Sequence, residues 1–428
     1  MEEYFNKIRK FNWWDERQIN PGYVRELYEQ KIQKFTGNRL VKVLVGQRRS
    51  GKSYILRQII AGLIDSGVPS ANTFYINKEF LEFDFVKNYK DLEALFDYYK
   101  ETLQPKGKVY LFIDEIQNVK EWERFVNSKS QNFVEECEIF ITGSNSKLLS
   151  GELATLLSGR YVEFEILPFS YEEFAAIKKL ETGRASFVEY LQSSGLPELM
   201  NLPDEETKRH YVSSVMDTVL LRDVIERHSI KNPALLKDIF IYLVNNASNL
   251  VSINNIVKYF KGKNRRTTYD TLANYISNIE ETFMIHRAER YDIRGKEIIG
   301  GTYKFYANDV GYRNYLFSGF GYGMGYLLEN VVYLQLRRYS FDIHVGQITD
   351  REVDFIAKRH DTTLYVQVCL TVDDPKTLER EYRALKGIAD NFPKMIVSLD
   401  DYQLPNSAGI AHIQAWNFEN YLRSLTGN

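Results

Sequence analysis

The feature that most restricts the fold of this chain is an eight-residue loop between an apolar run, 40–45, and a helical pattern. The loop reads Gly46-Gln47-Arg48-Arg49-Ser50-Gly51-Lys52-Ser53 and is followed by Tyr54. Its G-x-x-x-x-G-K-S spacing between a strand and a helix is typical of a phosphate-binding loop. The glycines allow backbone N–H groups and the start of the helix to face phosphate oxygens. We therefore expect residues 46–54 to bind a nucleotide, with Lys52 at the β- and γ-phosphates and Ser53 at Mg²⁺.

The composition predicts a large globular protein without an extended basic surface. At 428 residues the chain is long enough for about three domains of about 150 residues each. Its formal net charge of −2 confines any DNA contact to a local basic patch. The two cysteines, Cys137 and Cys369, lie in apolar runs and indicate buried thiols in a reducing compartment. Because the chain has no apolar stretch of about 20 residues and no signal-peptide pattern, we expect a cytoplasmic protein that does not enter a membrane.

An acidic pair, Asp114-Glu115, follows the apolar run 109–113. A continuous apolar run indicates a strand buried on both faces of a parallel sheet, and ligands bind at the carboxyl ends of such strands. We therefore expect Asp114 to hold Mg²⁺ through water, and Glu115 to orient or deprotonate the water that attacks the γ-phosphate. The alternative for Glu115 is an ordinary acidic cap on the segment that follows.

Another buried strand, 137–142, is expected beside the magnesium strand. It is followed by Gly143-Ser144-Asn145-Ser146. Asn145 and Thr142 are candidates for sensing the γ-phosphate, although the same residues also make a good turn. The alternation of strands and helices through 38–168 favours a doubly wound α/β core with a parallel sheet.

Four motifs together resemble those of one protein family. They are G-Q-R-R-S-G-K-S, F-I-D-E-I-Q-N-V with Trp122 shortly after it, T-G-S-N-S, and L-S-G-R-Y-V-E-F-E-I-L-P-F-S. Over nearly its whole length the chain resembles the prokaryotic AAA+-type P-loop ATPases that carry a C-terminal domain of unknown function. The resemblance implies ATP as the nucleotide, Asp114 and Glu115 as the Walker B pair, and Asn145 as the polar sensor.

Arg160 matches an arginine of that family. Related ATPases use an arginine, from the same subunit or from a neighbouring one, to stabilise the charge that develops on the γ-phosphate. A salt bridge to Glu163 or Glu165 is the alternative for Arg160. The spacing leaves open whether Arg48 and Arg49 counter phosphate charge or face solvent and acidic neighbours.

Changes of pattern divide the chain into five predicted parts. They are an N-terminal helical segment (1–37), a P-loop ATPase core (38–168), a helical lid-like region (169–245), a winged helix-turn-helix (246–300) and a nuclease-like C-terminal domain (301–428). In the first part, we expect Trp13 and Trp14 to pack against the core rather than to form an exposed docking patch. In the third part, the apolar spacing over 212–227 predicts an amphipathic α-helix.

The predicted winged helix-turn-helix contains a basic turn between its two helices, 253–260 and 269–282. The turn carries Lys261, Lys263, Arg265 and Arg266. These side chains are placed to meet a DNA backbone, and 283–292 alternates as a wing strand would. The alternative is a packing module that does not bind DNA, and Asp270 favours it because a carboxylate there would repel phosphate.

The last part resembles the restriction-endonuclease-like PD-(D/E)XK fold in the order of its acidic residues. Glu329 on a predicted helix and Asp354 on a predicted strand match that family's pattern. Gln367 stands where the family has a glutamate, and Cys369 stands where it has a lysine. A thiol cannot replace a cationic amine that positions water and stabilises the phosphorane. We therefore expect a nuclease fold without robust activity, used for docking or assembly.

The whole pattern predicts Mg²⁺-dependent ATP binding and hydrolysis coupled to rearrangement of the winged-helix and nuclease-like domains. The partner of this movement is DNA or another protein. A homo-oligomer is expected if a neighbouring subunit supplies the arginine. Two alternatives remain open. One is an ATP-regulated, metal-dependent nuclease, and the other is a binding module in which ATP occupancy is a switch with little turnover.

Overall fold

The computed structural model describes residues 1–15, 17–144, 157, 159–317 and 323–427. The chain divides into two compact units, Met1–Ile166 and Leu167–Asn428. None of the helices in the described ranges combines the length and the hydropathy that a membrane span requires.

The first unit is built on a parallel sheet of five strands. They are β1 (Val41–Val45), β2 (Thr73–Asn77), β3 (Val109–Asp114), β4 (Cys137–Gly143) and β5 (Tyr161–Glu165). Their order across the sheet is β2-β3-β4-β1-β5, and all neighbours are parallel. Strands β1 and β2 are buried at every position, as their continuous apolar runs predict. The carboxyl ends of all five strands therefore lie along one edge of the sheet.

Helices connect these strands and cover the sheet. They are Glu2–Ile8, Glu26–Gln33, Lys52–Asp65, Tyr89–Leu103 and Trp122–Gln131, with 3₁₀ turns at Arg9–Phe11, Ser70–Asn72, Leu81–Phe83 and Ile116–Asn118. Parallel strands alternating with helices confirm the predicted α/β class.

The N-terminal segment packs on the edge strand of this sheet, β2. Trp13 and Trp14 are buried, and Trp14 Nε1 donates to the Thr73 carbonyl at 2.8 Å. The Asn12 side chain pairs with the backbone of Tyr75 in both directions. Its Nδ2 donates to the Tyr75 carbonyl at 3.1 Å, and its Oδ1 accepts from the Tyr75 N–H at 2.7 Å. The expected packing of the two tryptophans is therefore confirmed, and neither forms an exposed patch.

The second unit contains a mixed sheet of eight strands. They are β6 (Leu250–Val251), β7 (Ile285–Asp292), β8 (Glu297–Ala307), β9 (Asp342–Ile348), β10 (Arg351–Arg359), β11 (Thr362–Val368), β12 (Lys394–Ser398) and β13 (Ile410–Gln414). Their order is β13-β12-β11-β10-β9-β7-β8-β6. The hairpin β7–β8 is antiparallel, and β7 also pairs in parallel with β9. One sheet therefore extends from the predicted wing into the C-terminal strands.

The described helices of the second unit surround this sheet. They are Tyr171–Lys178, Arg184–Leu191, Glu205–Thr218, Glu226–His228, Pro233–Asn245, Ile253–Gly262, Tyr269–Glu280, Gly311–Leu316, Met324–Arg338, Pro375–Lys386 and Phe418–Thr426, with 3₁₀ turns at Pro197–Asn201 and Ala415–Asn417. The helices Pro233–Asn245, Ile253–Gly262 and Tyr269–Glu280 share one hydrophobic cluster with the β7–β8 hairpin. Ser252 and Thr268 cap the last two of these helices, since each accepts a hydrogen bond from the N–H three residues later.

The predicted α-helix over 212–227 is wrong in its second half. After Thr218 the chain forms a seven-residue π-helix, Val219–Ile225. Val219 and Val224 are both buried, and they are five residues apart. The wider turn of a π-helix brings residues at this spacing to the same face, so packing against the core decides the local geometry.

Candidate functional site

The predicted phosphate-binding loop begins at the carboxyl end of β1 and leads into the helix Lys52–Asp65. Gly46 has φ +139° and Gly51 has φ +99°, backbone conformations that L side chains rarely adopt. Space is also limited at Gly46, since a Cβ atom there would lie 2.3 Å from the Ile166 carbonyl oxygen. The first glycine of the loop therefore permits a close contact between the ends of β1 and β5.

The Lys52 ammonium is buried within this loop. It donates to the carbonyl oxygens of Gly46 at 2.9 Å and Gln47 at 3.0 Å. Two hydroxyl oxygens, Ser50 Oγ in the loop and Ser144 Oγ after β4, are buried and have no hydrogen-bond partner among the described residues. Buried polar groups are normally paired, so these two hydroxyls fit a site that a polar ligand completes.

Asp114 ends β3 and is fully buried. Its Oδ2 accepts from the Tyr75 hydroxyl and from Asn77 Nδ2, each at 2.9 Å, and its Oδ1 accepts from the Thr142 hydroxyl at 2.5 Å. Burial raises the pKa of Asp114, and hydrogen bonds to the carboxylate oppose that rise. Ser53, the last residue of the phosphate-loop motif, also lowers the pKa of Asp114. The structure thus brings together Ser53 and Asp114, the two residues predicted to hold Mg²⁺.

The donor set at this edge suits Mg²⁺. In the described part of the chain, no group of three or more histidine, cysteine or acidic side chains could hold a metal by itself. Mg²⁺ characteristically takes one or two protein oxygens and completes its shell with phosphates and water. A serine hydroxyl beside one carboxylate therefore matches a cation that binds together with a nucleotide.

Glu115 follows Asp114 in a left-handed backbone conformation, with φ +55°, and is buried. Its N–H donates to Thr142 Oγ1 at 2.9 Å, and its Oε2 accepts from Gln117 Nε2 at 2.5 Å. Glu115 precedes the 3₁₀ turn Ile116–Asn118, but its side chain does not cap that turn. Gln117 therefore holds the Glu115 carboxylate. The side chain does not form the acidic cap that was the alternative for this residue.

Arg160 lies near the amino-terminal ends of β1 and β5, whereas the phosphate loop begins at the carboxyl end of β1. Its carbonyl accepts from the N–H of Val41, the first residue of β1, at 3.0 Å. Gly46 stands five residues further along, a span of about 17 Å at the rise of a β-strand. The Arg160 side chain is exposed. This span favours a neighbouring subunit over the same chain as the place where Arg160 would meet a phosphate, and both this role and the salt bridge to Glu163 or Glu165 stay predictions.

The other residues predicted for the nucleotide site differ in their surroundings. Asn145 lies outside the described residues. The Arg48 guanidinium contacts the Glu79 carboxylate, so Arg48 faces an acidic neighbour. Arg49 is exposed and has φ +72°, and Tyr54 is 48% exposed at the start of the helix.

Sequence reasoning missed three residues at this site. Tyr75 and Asn77 hold Asp114, and Asn77 is its direct neighbour in the register between β2 and β3. Arg25, from the N-terminal segment, is buried and donates to the Ser50 carbonyl at 3.2 Å. The polar residue that ends the strand-like run 73–77 in the sequence was a signal, but only the order of the strands shows that it lies beside Asp114.

The carboxylates of the predicted nuclease-like site are brought together in the second unit. Glu329 on the helix Met324–Arg338 and Asp354 on β10 are both buried. Between them lies the ammonium of Lys304, from β8, at 2.8 Å from Glu329 and 3.4 Å from Asp354. Lys304 also pairs with Glu352 at 2.7 Å. Sequence reasoning missed this lysine because the nuclease pattern directed attention to position 369.

The charges of this cluster depend on each other. Burial and the carboxylate of Asp354 raise the pKa of Glu329 to about 8, although Lys304 opposes the rise. Burial lowers the pKa of Lys304, but the three carboxylates outweigh burial and raise it overall. Lys304 therefore stays charged and acts as the counter-ion of the cluster.

Gln367 and Cys369 do not complete a metal site here. The Gln367 Oε1 atom accepts from the backbone N–H of Asp354 at 3.3 Å. Cys369 is buried, and burial raises the pKa of its thiol. The Gln367 side chain therefore holds the backbone of Asp354. The cation of the cluster is Lys304 on β8, not a residue at position 369, where the nuclease pattern has its lysine.

The basic turn of the predicted winged helix-turn-helix is exposed. Two of its side chains have partners within the second unit. Arg265 pairs with Asp238 at 3.0 Å, and Lys263 lies over the ring of Tyr259 at 4.6 Å. The turn is accessible, but part of its charge is already balanced.

Two family models and two relatives match the chain. Residues 38–175 match an AAA domain, and residues 184–321 match a domain of unknown function, DUF8612. An uncharacterized protein of Haemophilus influenzae is 34% identical over 390 residues, which cover 90% of this chain and 96% of that protein. Uncharacterized protein MJ1544 of Methanocaldococcus jannaschii is 33% identical over 374 residues, which cover 82% of this chain and 79% of that protein.

Solved structures show weaker similarity. The Thermotoga maritima RuvB Holliday junction branch migration motor has 16% identity and a TM-score of 0.31, covering 61% of this chain and 87% of that one. The Aeropyrum pernix ORC1 protein in complex with DNA has 14% identity and a TM-score of 0.31, covering 70% and 93%. The replication initiator DnaA bound to AMPPCP and single-stranded DNA has 15% identity and a TM-score of 0.30, covering 60% and 86%. Scores this low do not establish a common overall structure.

The two relatives extend over most of the chain, and the AAA match includes the phosphate loop, Asp114 and Glu115. The parallel sheet and the P-loop geometry agree with that match. The chain therefore belongs to the protein family of the Haemophilus influenzae protein and MJ1544, and its residues 38–175 match an AAA domain.

Proposed function

We propose that this protein binds and hydrolyses ATP with Mg²⁺ at the carboxyl edge of the first sheet. The observation that carries the proposal is the buried carboxylate of Asp114, which accepts hydrogen bonds from Tyr75, Asn77 and Thr142. Ser53, at the start of the helix after the loop, lies close enough to lower the pKa of Asp114. A divalent cation supplies charge neutralisation on the phosphates, and these two residues would hold it. Lys52 would exchange its bonds to loop carbonyls for bonds to phosphate oxygens.

Glu115 is the proposed group that orients or deprotonates the attacking water. Thr142 keeps the acidic pair in a fixed arrangement, because its hydroxyl donates to Asp114 and accepts from the Glu115 N–H. Gln117 holds one oxygen of the Glu115 carboxylate. The side chain is therefore positioned by its neighbours, as a residue that acts on a water molecule must be.

Phosphate release and nucleotide binding, measured separately, test this proposal. Lys52→Ala should abolish both. Glu115→Gln should retain binding of a fluorescent ATP analogue and lower turnover about 10²- to 10⁴-fold, the usual contribution of a general base. Tight binding by the wild-type protein without phosphate release, with or without duplex DNA, would replace the hydrolase by the ATP-occupancy switch.

An ATP-regulated nuclease is the second candidate, favoured by the proximity of Glu329 and Asp354. Lys304 contacts both carboxylates, and Gln367 faces the backbone. We therefore propose that the C-terminal domain serves docking or assembly rather than cleavage. Plasmid cleavage by the wild-type protein in Mg²⁺ or Mn²⁺ that disappears in Asp354→Ala would reverse this choice.

The basic turn is the proposed DNA contact, within the region proposed as a winged helix. Removing one side chain that binds a phosphate should reduce the slope of log affinity against log salt concentration by about one. Because Arg265 is paired with Asp238, Arg266→Ala should have the larger effect. Affinities for duplex DNA at several salt concentrations measure the slope, and an unchanged slope in Arg265→Ala/Arg266→Ala would assign the turn to packing.

A further inference from the structure

We infer that Tyr75 and Asn77 are positioning residues for the carboxylate of Asp114, and that the N-terminal segment holds them in place through Asn12. The inference rests on the proposed ATPase function of the same site. It adds to that site an edge strand and a segment outside the sheet, neither of which belongs to a phosphate-loop or Walker B motif.

Tyr75 and Asn77, both on β2, can donate to Asp114 Oδ2 in only one pattern of hydrogen bonds. Asn77 Nδ2 donates to Asp114 at 2.9 Å and to the Tyr75 hydroxyl oxygen at 3.0 Å, which uses both of its hydrogens. Asn77 Oδ1 accepts from the Glu79 N–H at 2.8 Å, which fixes the orientation of the amide. The Tyr75 hydroxyl therefore has its hydrogen free to donate to Asp114, and it does so at 2.9 Å.

This arrangement fixes the plane of the Asp114 carboxylate. Oδ2 accepts two hydrogen bonds from β2, and all the groups involved are buried. Rotation of the carboxylate would break both bonds and leave buried donors unpaired, which is costly. Coordination of a cation is therefore left to Oδ1, the oxygen that also accepts from Thr142.

The N-terminal segment completes the edge of the sheet beside these residues. β2 is an edge strand, and the outer N–H and C=O groups of such a strand need partners. The amide of Asn12 pairs with both backbone groups of Tyr75, as a neighbouring strand would, and Trp14 bonds the Thr73 carbonyl. Displacing this segment would release the backbone of the residue whose side chain holds Asp114.

A partner that displaced the N-terminal segment would therefore weaken binding of Mg²⁺ with ATP while leaving the phosphate loop itself intact. Nucleotide binding and the effect of Mg²⁺ on it would then change separately. Nucleotide binding without Mg²⁺ depends on the loop, whereas the effect of Mg²⁺ depends on Asp114 and, through Tyr75 and Asn77, on Asn12.

The test compares full-length variants in two measurements. The first is the affinity for a fluorescent ATP analogue in Mg²⁺ and in EDTA, and the second is the Mg²⁺ concentration that gives half-maximal ATP hydrolysis. We expect Tyr75→Phe and Asn77→Ala each to raise that concentration about tenfold, since each removes a hydrogen bond to a charged group. Affinity in EDTA should stay unchanged, and saturating Mg²⁺ should restore most of kcat.

Asn12→Ala should act in the same direction, by about threefold, because it loosens β2 without removing a bond to Asp114. In the Tyr75→Phe/Asn77→Ala background it should produce no further shift, since its effect passes through those side chains. A full additional shift in that background would overturn the role assigned to Asn12.

Tyr99→Phe is the matched control. It removes a buried hydroxyl of the same unit, bonded to the Ala71 carbonyl at 2.5 Å, that makes no contact with Asp114. It should lower stability without changing the Mg²⁺ dependence. If Tyr75→Phe and Asn77→Ala behave like this control while the wild-type protein hydrolyses ATP, the inference is wrong and the ATPase function stands. If the wild-type protein neither binds nor hydrolyses ATP, the proposed function itself fails.

Discussion

Three side chains of the second unit could be mistaken for a nucleophilic site. Ser398 donates to the Asp400 carboxylate at 2.6 Å, and its oxygen lies 2.8 Å from His412 Nε2. His412 Nδ1 accepts from the Leu404 N–H at 2.9 Å, so the proton of the neutral ring is on Nε2. The histidine therefore cannot take a proton from Ser398, and the three residues form a structural network.

The pH dependence of stability should report this network. Burial lowers the pKa of His412 below its usual 6.5, although Asp400 opposes the change. The stabilisation is therefore present above the unfolded pKa and is lost as the pH falls through the lower folded pKa. We expect the free energy of unfolding to fall less steeply below about pH 6.5 in His412→Gln, which can still donate to Ser398 but cannot bind a proton. Denaturant titrations at several pH values measure these free energies. The same fall in the free energy of unfolding with pH in both proteins would contradict the prediction.

A second prediction at this scale concerns Lys304. Lys304→Met leaves the buried carboxylates of Glu329 and Asp354 without a cation, and should lower the free energy of unfolding by about 3 kcal/mol or more. The control is Lys178→Met, which breaks an ion pair with Glu189 that is far more exposed. It should cost less than about 1 kcal/mol in the same chemical denaturation experiment. A small loss in both variants would show that the cluster does not depend on its lysine.

Among secondary-structure elements, the junction of β1 with the phosphate loop leaves the least room for change. Gly46→Ala adds a Cβ atom 2.3 Å from the Ile166 carbonyl, at a backbone conformation that already strains an L residue. We expect the variant to be less stable by about 3 kcal/mol and to lose nucleotide binding, because the loop must shift.

Gly67→Ala provides the comparison for that variant. Gly67 also has positive φ, +99°, but a Cβ atom there meets nothing within 4 Å. Its cost should be limited to backbone strain, about 1 kcal/mol, with unchanged nucleotide binding. Similar losses at both positions, in thermal unfolding and in nucleotide titration, would mean that steric contact with Ile166 is unimportant.

Elements produced by interactions between residues close together in the chain were predicted correctly, and elements that depend on distant contacts were not. Strand β1, the loop 46–53 and its helix were predicted because hydrophobic runs, glycines and spacing act over a few residues. The π-helix Val219–Ile225 was not, because its apolar spacing also suits an α-helix and only the surrounding core selects the wider turn. The same limit applies to the continuous sheet through β7 and β9, since strand pairing does not follow chain order.

For the whole molecule, the position of Arg160 has a consequence for assembly. Arg160 stands at the start of β5, about 17 Å by strand rise from its own phosphate loop, and is exposed. If it acts on ATP, this span favours a neighbouring copy as the place. ATP turnover per subunit should then rise with protein concentration as copies assemble.

Mixing two inactive variants tests this directly. Lys52→Ala cannot bind ATP but still presents Arg160, and Arg160→Ala binds ATP but lacks the arginine. Together they should recover part of the wild-type ATPase activity that neither has alone. Arg160→Ala with normal turnover, or a mixture as inactive as its components, would remove Arg160 from the reaction. Light scattering on the same samples gives the number of subunits.

The sequence alone determined the phosphate loop, the acidic pair Asp114-Glu115 and the α/β class, because each depends on residues close together in the chain. Tertiary structure decided which distant residues meet them. Strand order places Tyr75 and Asn77 on Asp114, and the parallel direction of β1 and β5 puts Arg160 at the amino-terminal end of the strands, away from the phosphate loop. It also supplies the nuclease-like carboxylates with Lys304 from a strand that no local motif marks. Contacts of this kind arise from pairing and packing over the whole fold, and spacing along the chain does not encode them.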